Sequence, residues 1–241
     1  MLKSKVNWLE TADRPWDPPL SDLGREQGAA LGLCVQQHIN ELNLPPMRQV
    51  YSSPFQRCRE TAVAVNSNFT SIPGVKVEYG LAESLNEDWY RSWSLPTSNG
   101  EWGHTEKDGG GKVLEVNLRT LHRAALQPAS SIIVPADNCV EGMDHNHISV
   151  TKIQKVYCWG SFETSREQIK RSTSVVNSVA RRNSTVMLVS HGGPITQLFE
   201  GLTGDDWHIH GMADYASFSI YERTDDGSWI SLAMNKNSLV R

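Results

Sequence analysis

The sequence predicts an α/β fold, a three-layer α/β/α sandwich with helices on both faces of a sheet. Two observations carry this. Short β-branched apolar runs alternate along the chain with amphipathic helical patterns, the arrangement that buries a sheet between helix layers. One run, Thr185 to Val189, leads through Ser190-His191-Gly192-Gly193-Pro194 directly into apolar residues at helical spacing, Ile195, Leu198, Phe199 and Leu202. A strand that ends where a helix begins is a βα unit. Its carboxyl end is where ligands bind in such sheets.

In chain order, Arg14-Pro15-Trp16-Asp17-Pro18-Pro19-Leu20 comes first; its prolines exclude helix and central strand and make it a fixed, extended loop. Ser21 has the chemistry of an N-cap. Leu31, Val35, Ile39 and Leu42 then mark an amphipathic helix ending near Pro45-Pro46. Gln49 to Ser52 is a short strand. Ser53-Pro54 starts a second helix, with Cys58, Ala62, Val65 and Phe69 facing inward. Val75 to Tyr79 alternates as a strand does.

Residues 86–160 are irregular and aromatic, with Trp89, Tyr90, Trp93, Trp102 and the triplet Gly109-Gly110-Gly111; they form an insertion with a hinge, a lid over a site. Leu114 to Leu126 is helical inside it, stopped by Pro128. Ser165 opens a long helix with Gln168 in capping-box position, and Ile169, Thr173, Val176 and Ala180 face inward. Thr185 to Val189 is a strand buried on both faces. Ala216-Phe218-Ile220 and Ile230-Leu232-Met234 alternate around Asp226-Gly227, a hairpin. The whole chain is expected to form a single domain, 1–241.

Composition narrows the function. The net charge is −4 and the isoelectric point about 6.1, which give no polybasic signature for nucleic acid or anionic membrane. No apolar run approaches the roughly 20 residues of a membrane span, and the first residues lack the apolar stretch of a signal peptide. Cys34, Cys58, Cys139 and Cys158 are widely spaced, which fits free thiols and a cytoplasmic location. His145 and His147 have no carboxylate or thiol partner in sequence and make a weak metal candidate. The glycine triplet is not followed by Lys-Ser/Thr and is not a phosphate loop.

Three side chains are candidates for chemistry. His191 sits at the strand–helix junction, where glycines let backbone N–H groups of a helix N-terminus, Gly192 first, approach an anion; a polar loop residue is the plainer reading. Arg57 lies near the start of a helix, where the dipole disfavours a cation unless an anion sits between; otherwise it is a solvated arginine. Glu83 lies between apolar neighbours, where a carboxyl's pKa rises and it can donate a proton; otherwise it is plain surface.

Together, Ser52-Ser53-Pro54-x-x-Arg57-x-x-x-Thr61-Ala62, Leu81-x-Glu83 and Val189-Ser190-His191-Gly192-Gly193 resemble the histidine phosphatase (phosphoglycerate mutase-like) superfamily. The run from Arg14 to Gly24 is similar to the eukaryotic branch that holds the ubiquitin-associated and SH3-domain phosphatases. The resemblance implies a mixed, mostly parallel sheet with the site at its carboxyl edge, a phosphomonoester phosphatase acting through a phosphohistidine, and no metal or organic cofactor. It implies Arg57, His191 and Gly192 as phosphate-binding and Glu83 and His191 as catalytic, Glu83 protonating the leaving alkoxide. The partner is a phosphorylated small molecule or phosphoprotein, with substrate and oligomeric state open. The family's nucleophile is a histidine ending a first strand near the N-terminus. In this sequence no histidine precedes His38, and His38 falls inside the first predicted helix. The first strand, its histidine and one phosphate-binding arginine are therefore expected to be missing. A truncated, weakly active or inactive phosphatase is the first expectation, and a non-catalytic pseudophosphatase that binds phosphate ligands or proteins is the second.

Overall fold

The computed structural model describes residues 17–84, 140–151 and 163–237. The chain divides into two units, one of Met1–Pro18, Leu85–Ala136 and Ile153–Glu163, the other of Pro19–Ser84, Asp137–Lys152 and Thr164–Arg241. All the elements below belong to the second. Arg14, Pro15 and Trp16 of the expected loop, the tryptophan-rich stretch, the glycine triplet and the helix at 114–126 lie outside the described residues, as do Cys139 and Cys158.

Helix α1 spans Asp22–Glu41, and Ser21 caps it as expected, its hydroxyl accepting from the Gly24 N–H at 3.1 Å. Leu31, Val35 and Ile39 are buried, whereas Leu42 has already left the helix and is exposed. Strand β1 (Met47–Ser52) leads to helix α2 (Gln56–Asn66), which buries Cys58, Ala62 and Val65 against α1. Glu60 ties the two helices, accepting from the Leu20 N–H at 3.0 Å and from Arg25. Of the strand expected over 75–79, only Lys76–Val77 (β2) pairs; a short 3₁₀ turn at Tyr79–Leu81 follows.

Glu78 explains why β2 stops. Its carboxylate is fully buried and accepts from Ser149 Oγ, from the Val150 N–H at 2.9 Å and from the Thr151 N–H at 3.0 Å. Two further bonds join this segment to Val75, from the Val75 N–H to the Gly142 carbonyl (3.0 Å) and from the Asp144 N–H to the Val75 carbonyl (2.7 Å). Within the expected insertion at 86–160, the described stretch 140–151 is thus pinned to the end of β2.

Helix α3 covers Ser165–Val179, strand β3 Thr185–Val189 and helix α4 Gly192–Thr203. The capping box of α3 is Thr164 with Glu167, one residue earlier than Ser165 with Gln168. Its fully buried face is Gln168, Ser172, Val175, Val176 and Val179, whereas Ile169 and Thr173 are half-buried against Gly201 of α4 and Ala180 is the C-cap. Strands β4 (Ser217–Arg223) and β5 (Trp229–Asn237) form the expected antiparallel hairpin, with Gly227 at φ +90° in its turn, a conformation costly for a residue with a Cβ.

Three strands run parallel in the order β2-β1-β3. Side chains alternate across them. Met47, Val50 and Val189 enter the core with α1 and α2, and Met187 packs on it. Tyr51, Val186 and Leu188 face the other way, onto Leu81, Val175 and Val179. Helices therefore cover both faces, which is the three-layer α/β sandwich. Most of β3 is half-buried rather than fully buried as expected; only Val189, beside the site, is closed off.

Candidate active site

The parallel arrangement brings the carboxyl ends of β1 and β3 side by side. The Ser53 N–H donates to the Val189 carbonyl at 2.8 Å, so the two chains stay joined as they leave the sheet. His191 is then the N-cap of α4 and Arg57 is the second residue of α2. Both helices aim their N-termini, the positive ends of their dipoles, at one rim. The loop after the 3₁₀ turn carries Glu83 to the same place.

All three predicted side chains converge. Arg57 Nη2 lies 2.9 Å from His191 Nδ1 and 3.7 Å from Glu83 Oε2, and His191 Nδ1 lies 3.3 Å from Glu83 Oε2. The imidazole is buried, sandwiched edge-on against the Phe55 ring at 5.0 Å, while Arg57 arches over the same ring at 4.9 Å. Burial foremost, then the charges of Arg57 and Arg171, hold the His191 pKa well below its usual value, so the ring is neutral near pH 7. Burial lifts the Glu83 carboxyl above its usual range despite opposing pulls from Arg57, the Ser84 N–H and Arg171. A cation that accepts no proton, a neutral imidazole and a carboxyl biased toward its acid form thus share one rim.

Gly192, expected to border the anion, is the first residue of α4, and among the described residues a Cβ there would meet only the Ala213 carbonyl at an ordinary 3.8 Å. The glycine the packing needs is Gly193, where a Cβ would stand 3.1 Å from Ser84 Oγ and 3.7 Å from Glu83 Oε1.

Several site residues escaped the sequence reading. Ser53 Oγ lies 2.8 Å from His191 Nε2. Cys58, placed in the core by its spacing, also has its sulfur 3.5 Å from Nε2. Arg171 of α3 donates to the carbonyls of Gly80 (2.7 Å), Ala82 (3.1 Å) and Glu83 (3.4 Å), a clamp on the loop that carries the acid. Gln168, one turn earlier, accepts from Ser84 Oγ and donates to Gln197 at 2.9 Å. The spacing of three between Gln168 and Arg171 was the available signal, since it puts both on one helix face.

Among the described residues, the other histidines lie elsewhere. His38 packs edge-on against Phe218 and bonds its own helix, its Nδ1 2.9 Å from the Cys34 carbonyl. His210 packs against Phe199. His147 faces Glu78 at 3.6 Å, and among the described residues no group of three or more potential metal ligands gathers.

Fold and rim together define an α/β protein in which a guanidinium, a carboxyl and a buried imidazole meet at the carboxyl edge of a parallel sheet. The family model of the histidine phosphatase superfamily (branch 1) matches residues 5–119 and 144–237, and the chain belongs to that superfamily. Among solved structures, a mycobacterial hydrolase aligns with TM-score 0.54 at 18% identity, over 92% of this chain and 88% of its own. A mycobacterial glucosyl-3-phosphoglycerate phosphatase bound to inorganic phosphate aligns with TM-score 0.51 at 18% identity, over 92% and 89%. The ecdysone phosphate phosphatase from Bombix mori, bound to tungstate, aligns with TM-score 0.52 at 19% identity, over 91% and 73%. At these identities the likeness establishes the fold. No curated protein matches the chain. Among the described residues, no helix is long and apolar enough to cross a membrane.

Proposed function

We propose that the rim formed by Arg57, Glu83 and His191 binds the phosphoryl group of a phosphomonoester, and that the domain is of the phosphatase type. One observation carries this: three side chains from three separate segments meet within 2.9–3.7 Å at the ends of two parallel strands. A phosphomonoester brings about two negative charges. Arg57 offers a planar fork for two of its oxygens. The N-terminus of α4, at Gly192 and Gly193, offers N–H groups for another. Glu83, kept toward its protonated form, is placed to give a proton to the departing alkoxide.

The nucleophile is a separate matter. The family resemblance calls for a histidine on an early strand, and residues 1–37 of this sequence contain none. We therefore expect these 241 residues to hold phosphate with little or no turnover. A non-catalytic role in holding phosphorylated ligands is the second reading, favoured by that same observation. The match to the eukaryotic branch rests on Arg14 to Gly24, and the wide spacing of the four cysteines supports a cytoplasmic setting. The break in the family match between 119 and 144 supports a single domain with an insertion inside 86–160.

The test is a chromogenic phosphate ester at mildly acidic and neutral pH, beside thermal unfolding in rising inorganic phosphate. A ligand that binds only the folded state at 100 times its Kd stabilises by about 2.7 kcal/mol. Stabilisation that disappears in Arg57→Met without turnover supports the binding reading. Turnover abolished by His191→Ala establishes an enzyme. The absence of both stabilisation and turnover refutes the phosphate site.

A further inference from the structure

His191, held neutral, has two ring nitrogens and one proton, and two of its neighbours, Arg57 and Ser53, make opposite demands on it. Arg57 Nη2 stands 2.9 Å from Nδ1. A guanidinium can only donate, so this contact requires a bare Nδ1 and places the proton on Nε2. Ser53 Oγ stands 2.8 Å from Nε2. Ser53 is fully buried, and among the described residues its hydroxyl oxygen otherwise only receives the Phe55 N–H, at 3.4 Å. Among the described residues the hydroxyl hydrogen thus has one acceptor in reach, Nε2, which is open only when the proton sits on Nδ1. One tautomer satisfies Arg57 and strands the serine. The other satisfies the serine, turns an N–H toward Glu83 Oε2 at 3.3 Å, and sets two donors against each other at Arg57.

We infer that phosphate binding swaps the tautomer of His191, and that Ser53 is the positioning residue that makes the swap possible. The inference rests on the reading of Arg57 as the phosphate-holding arginine. Without an anion the bond from Arg57 prevails, because a charge-assisted hydrogen bond is about twice as strong as a neutral one. Phosphate oxygens then take up the guanidinium and free Nδ1. The Nε2–H bond breaks, an Nδ1–H bond forms, and the proton exchanges through water that enters with the anion. The ring's charge and proton count do not change. Ser53 reverses its role from acceptor to donor, as a hydroxyl can and an amide or a carboxylate cannot. The imidazole so gains a donor on the side where Arg57 and Glu83 meet, without the cost of charging a buried ring.

The experiment is nitrogen NMR on the full chain with ¹⁵N-labelled histidine, the His191 signals assigned by their loss in His191→Asn. Spectra are taken near neutral pH, without and with saturating inorganic phosphate, beside a thermal-shift titration. The expected result is a proton on Nε2 in the free protein and on Nδ1 in the phosphate complex. The same tautomer in both states, or a doubly protonated ring in the complex, overturns the inference while leaving phosphate binding intact. Absence of any phosphate-dependent shift in melting temperature overturns the phosphate reading itself, and the inference with it. In Ser53→Ala the proton should remain on Nε2 in the complex, so the Nδ1–H bond to the rim is not made and phosphate should bind about tenfold more weakly. Ser53→Thr, which keeps the hydroxyl, should recover the swap. A Ser53→Ala chain that binds and swaps as the parent does removes Ser53 from the account.

Discussion

Glu78→Ala tests the idea that one buried carboxylate fixes the segment 140–151 and ends strand β2. The carboxylate is fully enclosed and receives one hydroxyl and two backbone N–H groups from residues 149–151. Hydrogen bonds to a charged group contribute about 1.5–3 kcal/mol each. The donors are only partly buried, so water can recover part of this, and Ser149 can turn its hydroxyl to its other neighbour, the Thr151 carbonyl at 3.2 Å. Counting about 1–1.5 kcal/mol for each of the two N–H groups and less for the hydroxyl gives a loss of about 3 kcal/mol. For a domain of this size that is a fall of about 6–12 °C in melting temperature. Glu78→Gln keeps one acceptor oxygen and should lose roughly half as much. The assay is thermal and urea unfolding followed by circular dichroism, with limited proteolysis to see whether 140–151 is cut first. An Ala variant that melts within about 2 °C of the parent, with the segment still protected, would refute the reasoning.

Three further outcomes follow from the site. Glu83 is held above its ordinary value of 4.5, so above that pH the folded chain binds more protons than the unfolded one and stability falls as pH rises through the window; Glu83→Gln should therefore gain on the parent in melting temperature as pH goes up, and a flat difference contradicts the shift. His191 is held below 6.5, so its contribution has the opposite sign: stability is lost as pH falls below 6.5, and the gap between His191→Asn and the parent should narrow on acidification. Gly193→Ala should displace Ser84 from Gln168, cost about 1 kcal/mol and weaken phosphate binding, whereas Gly192→Ala should be nearly silent; equal effects on unfolding and phosphate titration would refute the assignment of Gly193 to the packing of the acid.

The parts of the fold that were legible are those where chemistry and periodicity agree locally. Ser21 caps α1, Leu31, Val35 and Ile39 face its core, and β3 runs into His191 and α4 as the spacing requires. The failures share a cause. The face of α3 was misplaced because its buried stripe includes Gln168 and Ser172, which an apolar rule assigns to solvent. Those polar positions are inward because Gln168 holds Ser84, and Arg171 beside it holds the backbone of Glu83. The strand at 75–79 was overdrawn because Glu78 answers to donors some 70 residues away, which no local window contains. Ser53 was visible only as part of a motif, since its partner lies 138 residues on. In each case an apolar pattern is broken where a buried polar group serves a distant one, and burying such a group unpaired is costly. Polar residues on a buried face are thus where this chain departs from a plain sandwich, and most of them point at the rim formed by Arg57, Glu83 and His191.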